Sequence, residues 1–414
     1  MVTSGLWIWE PTLKENYLSQ LLRSKHGFKY SGRMVGSTRQ LEFLITDGSD
    51  ADILSKAVDF FNSEFPTNSS KRMTIDFFTS KMCSQDGGSR GWLAVAMCGQ
   101  KVVGTCSIIQ KELLLGGETI PAVEIGDTFT SPDFRRDCHF RIRYPGTSSL
   151  DDYLNKSIFG RLATGCLDLA RSRGIQFVYG VPNEQAKQSW LSKMGFRLVD
   201  GGATWRISSP AISHPKFQRS LIASGIYKIY FLMTLAVSWS ATHAYGLEQV
   251  SILSDLDLDL VKTTNHSSAE FLQLANTEPW INSRFLKNPD KHYQVVKISN
   301  KKTSQTCGYV FFHEEIRSDG FRLLLYSKDL FFEPKLGKLK LPLARMSAVR
   351  FFHAQNLSMW IDQGTTSNFR RLIYGFISKP IRVDIVSKEL GPEILAKGTG
   401  FRFHNFQYGD SDLG

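Results

Sequence analysis

At 414 residues the chain is long enough for two or three domains, each able to bury a core of its own. Its composition, 42% hydrophobic and 21% charged, excludes an intrinsically disordered protein. The formal net charge of +11 asks for an anionic partner, yet no long Lys/Arg block occurs and the aromatics do not alternate with basic residues, so nucleic acid is not expected. A phosphorylated cofactor, a nucleotide-sugar, an acidic glycan or an anionic membrane surface fits the charge equally well. Cys83, Cys98, Cys106, Cys138, Cys166 and Cys307 show no C-x-x-C spacing, and several lie in apolar patterns. That predicts small core residues in a reducing cytoplasm and no metal site. The N-terminus carries no basic region ahead of an apolar core and does not read as a secretory signal.

Residues 1–40, with Lys25-His26-Gly27 and Ser31-Gly32-Arg33, read as an irregular extension. Leu41–Thr46 is a strand, Asp47-Gly48-Ser49-Asp50 a turn and helix cap, and Ala51–Phe61 a helix. A second helix, about Ser69–Met82, follows the Pro66 break. Trp92–Met97 and Val102–Ile109 form a hairpin about Cys98-Gly99-Gln100-Lys101, and Gly116-Gly117 turns the chain into a strand Ala122–Thr130. Ser131-Pro132-Asp133-Phe134-Arg135-Arg136 breaks that strand, and an insert Asp137–Asn155 follows. Ile158, Leu162, Cys166, Leu169 and Ala170 then fall at helical spacing up to Gly174. Ile175–Tyr179 is a short strand, Gly180-Val181-Pro182 a turn, and Asn183 caps a helix stopped by Gly195-Phe196.

This order, with Thr-Ser-Pro-Asp-Phe-Arg-Arg136 after the central strand and Pro-Asn-Glu184 through Lys-Met-Gly-Phe196 at its end, resembles the acyl-CoA-binding core of the GNAT superfamily of N-acetyltransferases. The resemblance covers roughly Leu41–Ser208. Phe177-Val-Tyr-Gly-Val-Pro-Asn-Glu184 is similar to the branch linked to bacterial surface-polysaccharide biosynthesis, whose members carry a second GNAT-like lobe. The fold class implied is α/β, a mixed α+β sheet in two tandem lobes: 1–40 extension, 41–208 acyl-CoA-binding lobe, 209–249 linker with an apolar helix, 250–414 second lobe.

The resemblance also implies a cofactor, acetyl-CoA or another acyl-CoA. Backbone N–H groups where the central strand parts from its neighbour would hold the thioester carbonyl and stabilise developing negative charge, with Phe129 and Thr130 as contacts. The pyrophosphate would sit at a helix N-terminus formed by Lys156, Ser157, Phe159 and Gly160, assisted by Arg135 and Arg136, with Asn183 near the cofactor. In the family the arginine turn runs straight into that helix. Here the insert intervenes, and Ser157 stands in place of a glycine. The insert reads either as a gating or acceptor-binding loop or as the mark of a decayed site; Arg141 and Arg143 within it read either as contacts to an anionic acceptor or as a solvated basic loop.

For proton transfer the candidates are Asp127 as general base, then Glu124. Their three-residue spacing puts them on opposite faces of a strand unless a bulge intervenes. The last helix carries Ser189-Trp190-Leu191 where many of these enzymes have a tyrosine, which leaves Ser189 or water to assist the departing thiolate, or makes assistance dispensable because a thiolate is already a fair leaving group.

Gly201-Gly202 and Ser208–Pro215 mark a boundary. Ile229–Gly246 contains no Asp, Glu, Lys or Arg, and Phe217–Leu247 reads as a buried or interdomain helix, with a membrane-surface helix and a span as the other readings. Beyond Val250 come a helix Ser267–Ala275, strands Tyr293–Ile298, Thr306–His313 and Arg322–Phe331, and a helix near Leu341–Ala354. A strand Leu357–Asp362, a helix around Asn368–Phe376 and a last strand Phe401–Gln407 complete this half. It repeats the element order of the first, but Phe332-Glu333-Pro334 stands where the arginine turn would be, so it is expected to bind no CoA. Tyr408–Asp412 reads as an acidic tail.

The function expected is acyl transfer to an amine or hydroxyl of a small-molecule or glycan-precursor acceptor. The competing readings are a non-catalytic scaffold of the same fold and a transferase that uses charged tRNA.

Overall fold

The computed structural model describes residues 28–33, 40–64, 73–83, 90–138, 157–199, 203–210, 221–250, 256–265, 271–288, 291–316, 322–332, 334–352, 358–362, 373–374, 376–391 and 402–403. The first half runs β1 (Phe28–Arg33), β2 (Gln40–Thr46), α1 (Ala51–Glu64), α2 (Ile75–Met82), β3 (Gly91–Cys98), β4 (Lys101–Leu115), β5 (Glu118–Thr130), α3 (Pro132–Cys138), α4 (Ile158–Ser172), β6 (Phe177–Gly180), α5 (Glu184–Met194) and β7 (Arg197–Leu198). The second runs β8 (Ala203–Pro210), α6 (Leu221–Thr242), β9 (Tyr245–Val250), α7 (Leu258–Thr263), β10 (Phe271–Leu274), β11 (Tyr293–Asn300), β12 (Thr306–Ile316), β13 (Arg322–Phe331), α8 (Lys340–Phe352), β14 (Ser358–Asp362), β15 (Phe376–Val383), β16 (Val386–Glu389) and β17 (Arg402–Phe403).

Local chemistry places the elements of the first half. Asp50, Thr74, Ser157 and Asn183 each offer a side-chain oxygen to a free N–H in the first turn of the helix that follows. Gly195, in the left-handed region, closes α5. On α4, Ile158, Leu162, Cys166, Leu169 and Ala170 are all buried, as the helical spacing requires. Together with Trp190 and Met194 of α5 they cover one face of the first sheet, while Leu54, Phe61 and Phe78 of α1 and α2 cover the other.

The first sheet has the order β1-β2-β3-β4-β5-β6-β16-β7, antiparallel up to β5, with β5 and β6 parallel. The second has the order β15-β8-β14-β13-β12-β11-β9, with β13 and β14 its parallel pair. The two have the same plan, an antiparallel meander followed by one parallel strand. The strand next to that parallel pair is exchanged. β16, from the end of the chain, lies between β6 and β7 of the first sheet, and β8, which follows β7 in sequence, lies between β14 and β15 of the second. Each half therefore completes the sheet of the other. A shared core adds to this, packing Leu113, Ala122 and Phe177 of the first sheet with Val295, Phe311 and Leu330 of the second.

Several expectations change. Phe28–Arg33 is not irregular but pairs along its length with Gln40–Ile45. Phe271–Leu274, expected inside a helix, is a strand between β4 and β17, because the long β4 extends far enough to offer it a sheet edge. Phe376, expected at the end of a helix, opens β15. The break after Thr130 is the helix α3, with Pro132 in its first turn, where a missing N–H costs nothing. Most of the insert, from 139 onward, and the tail Tyr408–Asp412 lie outside the described residues. The linker α6 packs against α8, where the Arg345 guanidinium lies 5.0 Å from the Phe231 ring centroid.

Candidate functional site

β5 and β6 pair at Ala122↔Phe177, Val123↔Val178 and Glu124↔Tyr179, and there the pairing stops. Among the described residues β4 is the strand that pairs with β5 on to Thr130, while the chain after β6 turns through Pro182 into α5. Gly180 permits the tight packing at the point of divergence. A Cβ on it would stand 2.9 Å from both the side chain and the carbonyl oxygen of Ile125.

Beyond its pairing with β6, β5 bulges. Ser107 pairs with Gly126 and Thr105 with Phe129, so Asp127 and Thr128 stand opposite the single residue Cys106. Asp127 takes φ +46°, in the left-handed region that Asp tolerates better than most residues. The bulge undoes the strand alternation, and Glu124 and Asp127 line the same cleft, a cavity of about 180 Å³ between β4, β5, β6, α5 and β16. The bulge is the exception allowed for in the alternation argument, and it brings the two carboxylates to one cleft.

Neither carboxylate stands alone. Asp127 Oδ2 accepts from Lys81 Nζ at 2.8 Å and from Ser107 Oγ at 2.6 Å, and the Thr105 hydroxyl donates to the Asp127 carbonyl at 2.7 Å. Glu124 Oε2 lies 3.5 Å from Lys111 Nζ, and both side chains are almost fully buried. The sequence reading missed Lys81, Ser107 and Lys111. Lys111 carried a legible signal, since Ile109, Lys111 and Leu113 alternate with the exposed Gln110 and Glu112 and so put a lysine on an inward face.

The other expected residues spread around the cleft. Asn183 lines its rim, and its side chain caps α5 by accepting from Ala186 N at 2.8 Å. Ser189 does not line it; Ala186 and Trp190 present that face of α5. Ser157 Oγ accepts from Gly160 N at 2.9 Å, and no acidic residue stands in the first turn of α4. Gly160 is buried there, and the Phe159 ring packs edge-on against Trp190 at 5.0 Å. Gly104 brings α4 onto the end of β5. A Cβ there would lie 2.6 Å from Ile158 Cγ2 and 3.4 Å from the Phe129 oxygen. Arg135 turns back on the same strand end, its Nε donating to the Thr130 carbonyl at 2.7 Å and its guanidinium 4.8 Å from the Phe129 ring centroid. Arg136 lies within α3, and Lys156 falls outside the described residues.

A meander, one parallel strand that parts from its neighbour, a bulge at the parting and a capped helix over the strand end form a recognisable arrangement. A GCN5-related N-acetyltransferase from Anabaena variabilis superposes with a TM-score of 0.51 at 14% identity, over 83% of this chain and 72% of that one. The chain has the GNAT fold. N-myristoyltransferase from Saccharomyces cerevisiae, solved with bound myristoyl-CoA, gives 0.52 at 12% identity over 86% and 83% of the two chains. No protein-family model matches the sequence, and no curated protein matches it. The second sheet is a second GNAT-like lobe by its strand order, and it too carries a bulge, at Ser327 on β13. Among the described residues no cluster of His, Cys, Asp and Glu side chains forms a metal site.

Proposed function

We propose that the chain is an acyl-CoA-dependent acyltransferase, with acetyl-CoA the first cofactor to consider and an amine or hydroxyl as acceptor. The observation that carries this reading is the parting of β5 from β6 beyond Glu124↔Tyr179, with Asp127 set at the bulge in the opening. The residues present fit an acyl-CoA. The start of α4 carries no carboxylate to oppose a pyrophosphate, and it lies against the end of the strand that the thioester would follow.

Bound acyl-CoA supplies an activated carbonyl carbon. The chain supplies the rest. Backbone groups of Phe129 and Thr130 hold the thioester end. Ser157, Phe159 and Gly160 at the front of α4 hold the phosphate end, with Lys156, Arg135, Arg136 and Asn183 as the further contacts that the resemblance implies. The Asp127 carboxylate takes the proton from the acceptor nitrogen or oxygen, steadied by Lys81 and Ser107. Glu124, locked to Lys111, shapes the cleft floor. With Ser189 off the lining, α5 brings no hydroxyl to the leaving sulfur, which departs as a thiolate.

By the likeness of Phe177–Glu184 to the polysaccharide branch, the acceptor class is an amino sugar or polysaccharide precursor. Release of free CoA thiol from acetyl-CoA, tested against amino-sugar nucleotides, measures the activity. Asp127→Asn lowers turnover roughly a hundredfold or more while acyl-CoA affinity holds. Unchanged turnover removes Asp127 as the base.

A further inference from the structure

Helix α6 is apolar along most of its length, and its hydroxyl-bearing stripe turns inward rather than to solvent. The face it turns to the protein is hydroxylated: Thr234, Ser238 and Thr242 are buried beside Phe231. Their hydroxyls donate back to carbonyls of the same helix, Thr234 to Phe231, Ser238 to Thr234 and Thr242 to Ser238. Arg345 of α8 reaches in to the Ser238 hydroxyl and the Phe231 carbonyl, each at 3.4 Å. The face it turns outward is apolar. Ile222 is 78% exposed, Met233 63%, Ile229 and Leu232 62%, Ile226 and Trp239 61%. From Ile222 to Trp239 this ridge is roughly 26 Å long at 1.5 Å per residue.

The charges around the ridge are basic. Lys228, at its edge, is the single charged residue within Leu221–Thr242 and is exposed. The exposed turn Lys301-Lys302 abuts the other end, where Lys301 N donates to the Ala244 carbonyl at 2.8 Å. In sequence, residues 211–220 add Lys216 and Arg219 and no acid. Glu248 on β9 lies 3.9 Å from Lys297.

A convex apolar ridge of this size marks a contact surface. A second copy meeting it across a two-fold axis would set the basic rim against itself. An anionic lipid surface complements the rim and accepts the ridge, and a tryptophan at one end suits the bilayer interface. No helix among the described residues is long and apolar enough to cross a membrane. We propose that α6 lies in the plane of an anionic bilayer, with Ile222, Ile226, Ile229, Leu232, Met233 and Trp239 at the headgroup–acyl boundary and Lys228, Lys301 and Lys302 against lipid phosphates. The anchor stands independently of the acyltransferase reading.

Co-sedimentation of the full chain with vesicles of phosphatidylcholine, alone or mixed with phosphatidylserine, tests it. The chain binds the mixed vesicles, and binding weakens with salt and without phosphatidylserine. Ile229→Ser with Leu232→Ser lowers binding roughly tenfold or more with the thermal melt unchanged, since both side chains are exposed. Lys301→Glu with Lys302→Glu lowers it on mixed vesicles only. A wild-type chain that ignores the mixed vesicles at low salt, or a serine variant that binds them fully, overturns the proposal. So does light scattering that finds a dimer which the serine variant splits.

Discussion

The Lys187 amine of α5 lies 2.7 Å from Asp384, two residues ahead of β16, and 2.8 Å from Glu184. It fastens the entry of the exchanged strand to the helix that walls the cleft. The hydrogen bonds to Asp384, then to Glu184, hold the amine above the ordinary lysine value of 10.5. Stabilisation from a raised basic group is complete below the unfolded value and is lost as pH rises through the folded one. Asp384→Asn therefore lowers Tm at neutral pH, and the deficit narrows above pH 10.5. Thermal melts of variant and wild type at both pH values check this; an equal deficit at both contradicts it.

Gly180→Ala forces a methyl against the Ile125 backbone at the point where β5 and β6 diverge. Urea unfolding should show a loss of about 1–3 kcal/mol. An unchanged midpoint would mean that the divergence does not depend on that close packing.

Lys111 and Glu124 form a buried ion pair, so removing one takes an opposite charge away from the other. Lys111→Met alone should cost about 3–5 kcal/mol, and adding Glu124→Gln should recover a large part of it. A double variant as unstable as the sum of the two singles would show that the two groups are not coupled.

The glycine turns, the caps at Asp50 and Asn183 and the helical spacing of α4 were legible because each is a local rule with one solution. The partner of Val386–Glu389 was not. Four residues with weak patterning can pair with any open edge, and the edge chosen belongs to a sheet built some two hundred residues earlier. Phe271–Leu274 read as helix for the same reason, since its spacing said nothing of the edge β4 would offer. At the site, Glu124 and Asp127 were found by residue type, and a bulge was named only as the condition that would unite them, not located. Its sequence trace is slight: Gly126-Asp127, two residues tolerant of unusual backbone. In α6 the Thr234, Ser238 and Thr242 stripe sits at helical spacing, yet only packing against Arg345 shows that this stripe is the inner one.

Lys81 steadies the proposed base from a separate helix, 2.8 Å from Asp127. Lys81→Met should lower kcat, up to about a hundredfold, and leave the KM for acyl-CoA near its wild-type value. Full turnover in Lys81→Met beside an inactive Asp127→Asn would make the lysine a structural partner alone.

The most direct test is calorimetric titration of the full chain with acetyl-CoA and with a long-chain acyl-CoA, followed by melts in excess ligand. One site per chain is expected for at least one of them, with stabilisation of about 2.7 kcal/mol at one hundred times its Kd. Neither heat nor stabilisation with any acyl-CoA would contradict it, and would leave the parted strands as a scaffold without a cofactor.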